Sequence, residues 1–308
     1  MRPLTRAIRS FALMTALAVP LAPAAAHAAT ATHGRLTYTH GTFTASHQRV
    51  LAVAGTVNAR DTGGYRTYDG RTTRWGVLYR SETLSALPPG GVTAVGRLGL
   101  SRVIDLRTPT EIQYDGTDRL PTGVAATPHP VDDTGLYFLM RQVVGSKDPA
   151  YQQATLGDGK AEERMRTLYR GFVTSATNRA ALGAAVMDIA NSTGPVLFHC
   201  SAGKDRTGVL ADIVLRAVGV PAAVSEQDYL LSSGLRAASD KALRDQLKAT
   251  GYMQNPDLLI PLQEVRTDYL SAFRDQAVQD YGSFGGFLTD GLGLDALTLA
   301  RLRAHIVG

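Results

Sequence analysis

The sequence predicts an α/β protein with a central, largely parallel sheet flanked by helices and a helical C-terminal half. Three observations carry that prediction. Two apolar runs, Val103-Ile104-Asp105-Leu106 and Pro195-Val196-Leu197-Phe198, each lead through a turn into helical spacing, as a parallel strand feeding a crossover helix does. The order along the chain passes from strands, through mixed β/α, to helices alone. The loop His199-Cys200-Ser201-Ala202-Gly203-Lys204-Asp205-Arg206-Thr207-Gly208 sits beyond the end of a strand, where open α/β sheets bind ligands.

The chain opens with Arg2, Arg6 and Arg9, then an apolar stretch from Phe11 to Leu21, then alanines that include Ala26-His27-Ala28. That pattern is a secretory signal peptide over 1–28, cut between Ala28 and Ala29. The apolar run is short and interrupted by Pro20 and Pro23, which argues against a stable membrane anchor. Residues 29–308 are expected to form a single domain. The net charge of +5 includes the three leader arginines, so the basic balance is partly an export feature and does not imply nucleic-acid binding. One cysteine allows no internal disulfide, and in an exported chain a lone thiol is flagged as reactive. Nothing in the sequence indicates an oligomeric state.

Residues 29–48 read as an arm or an edge strand. Val50 to Val57 is a strand candidate that runs into Asn58-Ala59-Arg60-Asp61-Thr62-Gly63-Gly64, whose glycines suggest a tight turn. Tyr68-Asp69-Gly70-Arg71 reads as a hairpin turn, and Trp75 to Tyr79 as the returning strand before Arg80-Ser81. Val92 to Leu98 fits a short helix. The strand Arg102 to Leu106 stops at Pro109, and Glu111 opens a helix. Asp105, at that strand's end, is a candidate buried acceptor that buttresses the loops, and burial there would require a partner such as an arginine. Gly123 to Thr127 is a weaker strand. Residues 134–160 mix glycines with the apolar cluster Tyr137, Phe138, Leu139 and Met140, which serves either to close a helical lid or as ordinary core. Ala161 to Ala190 is one long helix or two in succession, by the spacing of Met165, Leu168, Phe172, Val173 and Ala176. Helices are then expected over 207–218, 221–231, 235–250, 261–273 and 295–306.

Chemistry concentrates in the loop. Cys200 and Arg206 are separated by five residues, so both can face an anion held by the intervening backbone N–H groups. The helix that follows adds its positive end. The same field stabilises a thiolate at Cys200, and the planar fork of Arg206 suits two phosphoryl oxygens. Ser201, Ala202, Gly203, Lys204 and Thr207 complete the cradle, with His199 in support. A nucleotide-binding loop is ruled out because Gly203-Lys204 is followed by Asp205 rather than Ser or Thr. No Gly-x-Ser-x-Gly element or metal-ligand cluster is visible, so neither metal nor cofactor is expected. Asp205 is the first choice to protonate the leaving group, with Asp132 and Asp133 as alternatives on a segment that can move. Lys204 adds charge suited to a ligand with more than one phosphate. Two other classes stay open: a catalytically weak secreted module that binds anionic lipids or phosphoproteins, and a sulfur-transfer or arsenate-reducing enzyme.

The loop resembles the signature of the protein tyrosine phosphatases, and its Lys204-Asp205 pair resembles the atypical bacterial group of that family. Three further stretches are similar: Asn58 to Gly64, Arg80-Ser81, and Asp105-Leu106-Arg107. The resemblance implies a cysteine-phosphatase-like fold and a helical lid near 134–160. It implies that Arg60 and Asp61 lie beside the phosphate loop, with Arg80 and Asp105 supporting it. It also implies hydrolysis through a cysteinyl-phosphate, with the loop aspartate as acid. Phosphotyrosine is the expected substrate, with phosphoinositides and phosphoserine or phosphothreonine in addition.

Overall fold

The computed structural model describes residues 47–308, so the expected leader, its cut site and nearly all of the 29–48 arm lie outside the described residues. In chain order the elements are β1 (Arg60–Asp61), β2 (Leu78–Ser81), α1 (Pro89–Gly96), β3 (Arg102–Asp105), α2 (Pro109–Asp115) and β4 (Ala126–Pro128). Four helices follow: α3 (Leu136–Ser146), α4 (Pro149–Leu156), α5 (Lys160–Thr174) and α6 (Ala176–Ala190). After β5 (Val196–His199) come α7 (Arg206–Ala217) and α8 (Ala222–Ala249). A 3₁₀ turn at Pro256–Leu259 leads to α9 (Ile260–Gln263), then α10 (Thr267–Tyr281), the short α11 (Phe284–Gly286) with a π turn at Phe287–Gly291, and α12 (Ala296–Ile306).

The sheet order is β1-β2-β5-β3-β4. Only the β1–β2 pair is antiparallel; β2, β5, β3 and β4 run parallel. A parallel strand covered on both faces reads as a continuous apolar run, and Val196, Leu197 and Phe198 on β5, with Val103 and Ile104 on β3, are all buried. Register places Ser81, His199 and Asp105 side by side at the carboxyl ends of β2, β5 and β3. The loop that starts with Cys200 begins at that edge.

Several expected elements differ, each for a physical reason. Val50 to Val57 is not a strand: Val50 makes one bridge to Arg60, and Thr56 N–H turns back to the Val53 carbonyl. Its apolar residues Leu51 and Val53 instead pack on a cluster with Leu84, Leu87 and Val103. The strand expected from Trp75 starts only at Leu78, because Gly76 takes φ +75° and sends its N–H to Asp61. The weaker strand expected from Gly123 is confined to Ala126–Pro128. Residues 161–190 form two helices, split where Ser175 caps α6 by accepting from Asn178 N–H. The helices expected at 221–231 and 235–250 are one, α8. Its middle is held by tertiary bonds, since Ser232 Oγ accepts from Arg60 and Ser233 Oγ bonds Val265. The helix expected over 261–273 is broken at Glu264–Arg266.

Residues 136–156 form two helices. Phe138 is 52% exposed, so this apolar cluster is not ordinary core. It joins Tyr114 and Tyr137 in edge-on and tilted ring contacts, with the Arg141 guanidinium 4.4 Å over Tyr114. The non-glycine residues with positive φ among those described are Thr134, Lys147 and Asp158. They fall at the start of α3, between α3 and α4, and at the end of α4.

Candidate active site

The loop from Cys200 to Asp205 joins β5 to α7, so the N-terminus of a twelve-residue buried helix points into it. Gly203 makes the turn possible: it takes φ +66°, and a Cβ there would lie 2.4 Å from the Ser81 carbonyl oxygen. Three hydrogen bonds from two side chains fasten the outside of the loop. Asn58 Nδ2 donates to the carbonyls of Ala202 and Gly203 at 3.3 and 3.0 Å, and Arg80 Nη2 donates to Gly203 at 3.0 Å. With those carbonyls tied outward, the loop's N–H groups are left for its interior.

Cys200 is 2% exposed. Arg206 is fixed by Glu111: Nη1 donates to Oε2 and Nη2 to Oε1, both at 2.6 Å. Nη1 also donates to the Val131 carbonyl at 3.2 Å. Burial alone pushes the Glu111 carboxyl up. The hydrogen bonds and charge of Arg206, with the Ser201 hydroxyl, outweigh it and bring the pKa down to about 2. Glu111 reaches that position because Thr108 and Glu111 form a capping box that starts α2. Thr207 Oγ1 is buried and has no hydrogen-bond partner among the described residues.

Asp205 and Lys204 meet directly. Lys204 Nζ lies 2.9 and 2.8 Å from the two Asp205 oxygens and donates to the Glu264 carbonyl at 3.3 Å. Lys204 is therefore a buried, paired cation rather than a solvated one. The two alternative aspartates behave differently from each other. Asp132 is exposed. Asp133 accepts from Gly135 and Tyr137 N–H at the start of α3. Burial raises its pKa, against the opposing charge of Arg206.

The supporting residues divide. Asp105 accepts from Arg107 Nε and Nη2, and Arg107 also reaches Asp118 at 3.0 Å. His199 Nε2 lies 2.9 Å from Asp118, and its Nδ1 lies 3.2 Å from the Cys200 carbonyl. Burial lowers the His199 pKa, but Asp118 and Asp105 overcome that and raise it. Asp105, Asp118 and His199 thus come within metal-ligand spacing of one another, which the sequence did not reveal. Arg107 already supplies the cation to both carboxylates, so the donor set is spent. Arg60 is not a surface ion pair with Asp61. It is buried on Asp228 at 3.1 Å, and Arg80 shares Asp228 at 2.7 Å. Asp61 is used locally, accepting from Gly63 and Gly76 N–H.

Sequence reasoning missed Asp118, Asp228, Tyr169 and Tyr229, and it took Glu111 only as a helix opener. The Thr-x-x-Glu capping signature was the one local signal for Glu111's placement; the others have none. A cleft of about 340 Å³ beside α5 is lined by Thr134, Lys160, Glu163, Arg164 and Thr167, and the loop is not part of its lining. Among the described residues no helix is long and apolar enough to cross a membrane.

A parallel strand ending in a glycine turn at a helix N-terminus, with a buried cysteine and an arginine braced by a carboxylate, is the arrangement of a phosphatase of the α/β class. The model of the tyrosine phosphatase family matches residues 51–308, and the chain belongs to that family. It is a protein tyrosine phosphatase. The triple specificity protein phosphatase PtpB of Mycobacterium tuberculosis is 31% identical over 281 residues, which span 84% of this chain and 99% of that protein. A Cupriavidus necator chain that carries a tyrosine-phosphatase name is 31% identical over 261 residues, 80% of this chain and 85% of its own. A tyrosine-protein phosphatase of Nostoc commune is 50% identical over 44 residues, 14% of this chain and 15% of its own.

Proposed function

We propose that the enzyme hydrolyses phosphomonoesters without a metal, through a cysteinyl-phosphate on Cys200. The thiolate attacks phosphorus, an S–P bond forms as the P–O bond to the leaving oxygen breaks, and Asp205 gives that oxygen its proton. Water then attacks phosphorus as the S–P bond breaks and the Cys200 thiolate leaves, gives its proton to Asp205 and releases inorganic phosphate. Loop N–H groups and Arg206 stabilise the equatorial oxygens in both steps. The carrying observation is the Arg206–Glu111 fork. It holds the guanidinium at the helix end of the loop that begins with Cys200, and leaves Nε free of Glu111. Thr207 keeps an uncommitted hydroxyl for the departing sulfur.

In this reading phosphotyrosine is the main substrate, and phosphoinositides and phosphoserine or phosphothreonine are further ones. Lys204 supports that breadth, as does the relative named for triple specificity. A second phosphate on the substrate would exchange Lys204 from Asp205 onto itself. The helices over 134–160 act as a lid on a single domain spanning 29–308. The protein is exported after a cut between Ala28 and Ala29. A cysteine that is 2% exposed needs such an opening before an ester can reach it.

Asp133 carries a second reading for the acid, because burial raises its pKa near Arg206. Cys200→Ser is expected to abolish turnover. Asp205→Asn is expected to cost about 10²–10⁴-fold on esters with poor leaving groups and little on activated aryl phosphates. The slope of log kcat/KM against leaving-group pKa, measured for Asp205→Asn and Asp133→Asn, decides. A slope that steepens only in Asp133→Asn moves the acid to the lid.

A further inference from the structure

Asp205 is the N-cap residue of α7, where an aspartate ordinarily accepts from N–H groups two or three residues on. Its side chain makes no such bond. It turns instead to Lys204 and to Tyr169, whose hydroxyl meets Oδ1 at 2.8 Å. The Tyr169 hydroxyl donates to Oδ1, which leaves Oδ2 to carry the proton when Asp205 acts as the acid. The Tyr229 hydroxyl lies 2.7 Å from the Tyr169 hydroxyl, and with Tyr169's proton committed to Asp205, Tyr229 donates to it. The direction of the chain is therefore fixed, from Tyr229 to Tyr169 to Asp205. Both rings are at most 1% exposed, so water does not compete for these bonds.

Arg266 precedes the first turn of α10 and its N–H is not used in that helix. Two residues earlier, the Glu264 carbonyl accepts from Lys204. The connector between α9 and α10 thus supplies an acceptor for Lys204, which is itself paired with Asp205.

We propose that Tyr169 is a positioning residue for the acid, with Tyr229 fixing the orientation of its hydroxyl. Tyr169 holds the Asp205 carboxyl group off the N-terminus of α7, so that it faces the leaving group instead of capping the helix. This rests on Asp205 being the proton donor. Tyr169→Phe keeps the ring and its packing but removes the donor. Asp205 then falls back to its ordinary capping role, which offsets the lost bond, so thermal stability stays near that of the wild type.

The test compares wild type, Tyr169→Phe, Tyr229→Phe, Asp205→Asn and the Tyr169→Phe/Asp205→Asn double variant on phosphotyrosine and on p-nitrophenyl phosphate. Tyr169→Phe should lose about tenfold in kcat on phosphotyrosine, stay within about twofold on the activated ester, and leave KM unchanged. Tyr229→Phe should show a smaller loss with the same selectivity. The double variant should be no slower than Asp205→Asn. Equal loss on both esters, or losses that multiply in the double variant, overturns the role of Tyr169 alone. An Asp205→Asn variant with no leaving-group selectivity overturns the assignment of the acid, and the role of Tyr169 falls with it.

Discussion

Glu111 and Arg206 show how a single pair sets both the site and its response to pH. Their side chains are 1% and 7% exposed, so neither charge is screened by bulk water. Glu111 has a folded pKa of about 2 against an ordinary 4.5. A depressed carboxylate contributes stability that is present above 4.5 and lost as pH falls through about 2. The shift corresponds to about 3 kcal/mol. Glu111→Gln leaves Arg206 buried without a counter-charge, at a cost of about 3–5 kcal/mol at neutral pH. Urea unfolding across pH 2–5 should show a steep acid loss in the wild type and a shallower one in Glu111→Gln; equal slopes would assign the loss elsewhere. His199 has the opposite sign. Its pKa is raised, so its contribution is complete below 6.5 and is lost as pH rises through the elevated value.

Among the elements, the paired helices α3 and α4 are bounded by unusual backbone. Thr134 at φ +54° is β-branched in the left-handed region, which costs about 1–2 kcal/mol. Lys147 and Asp158 adopt the same sign of φ at the other two ends. Left-handed backbone thus marks each joint of this segment, with regular helix between. Thr134→Gly should raise the free energy of unfolding by about 1 kcal/mol, read from thermal denaturation. A loss of stability would show that the Thr134 methyl, packed near Gly171, contributes more than the backbone strain takes away. Long helix α8 illustrates the reverse case. Ser232-Ser233-Gly234 is weak helical sequence, yet the hydroxyls of Ser232 and Ser233 are bonded to Arg60 and Val265, and the helix continues through them.

At the scale of the whole molecule, Asp228 ties the C-terminal helical half to the sheet. It pairs with Arg60 on β1 and Arg80 on β2, and accepts from the Tyr65 hydroxyl at 2.9 Å. Burial and the neighbouring Arg60 bring the Arg80 pKa down to about 10, and Asp228 opposes that loss. Removing the carboxylate as Asp228→Asn leaves two buried guanidinium groups facing each other, and should destabilise the fold by about 3–5 kcal/mol in urea titrations. Because Arg80 also holds the Gly203 carbonyl, kcat/KM should fall at temperatures where the variant is still folded. Normal turnover in folded Asp228→Asn would show that the loop keeps its shape without this tie.

The sequence by itself determined the parallel strand–loop–helix unit, the placing of Cys200 and Arg206 at its two ends, and the α/β class. All of these depend on period, turn residues and capping, which act over a few positions. Even there, Gly76 and Glu264–Arg266 shifted or broke elements that local pattern extended. The tertiary structure alone decided what holds the unit in place. Glu111 is 95 positions from Arg206, Asp228 is 168 from Arg60, and Tyr169 is 36 from Asp205. A buried charge must find its counter-charge or donor wherever the chain happens to cross, and that crossing is set by how sheet and helices pack, so no local pattern records it.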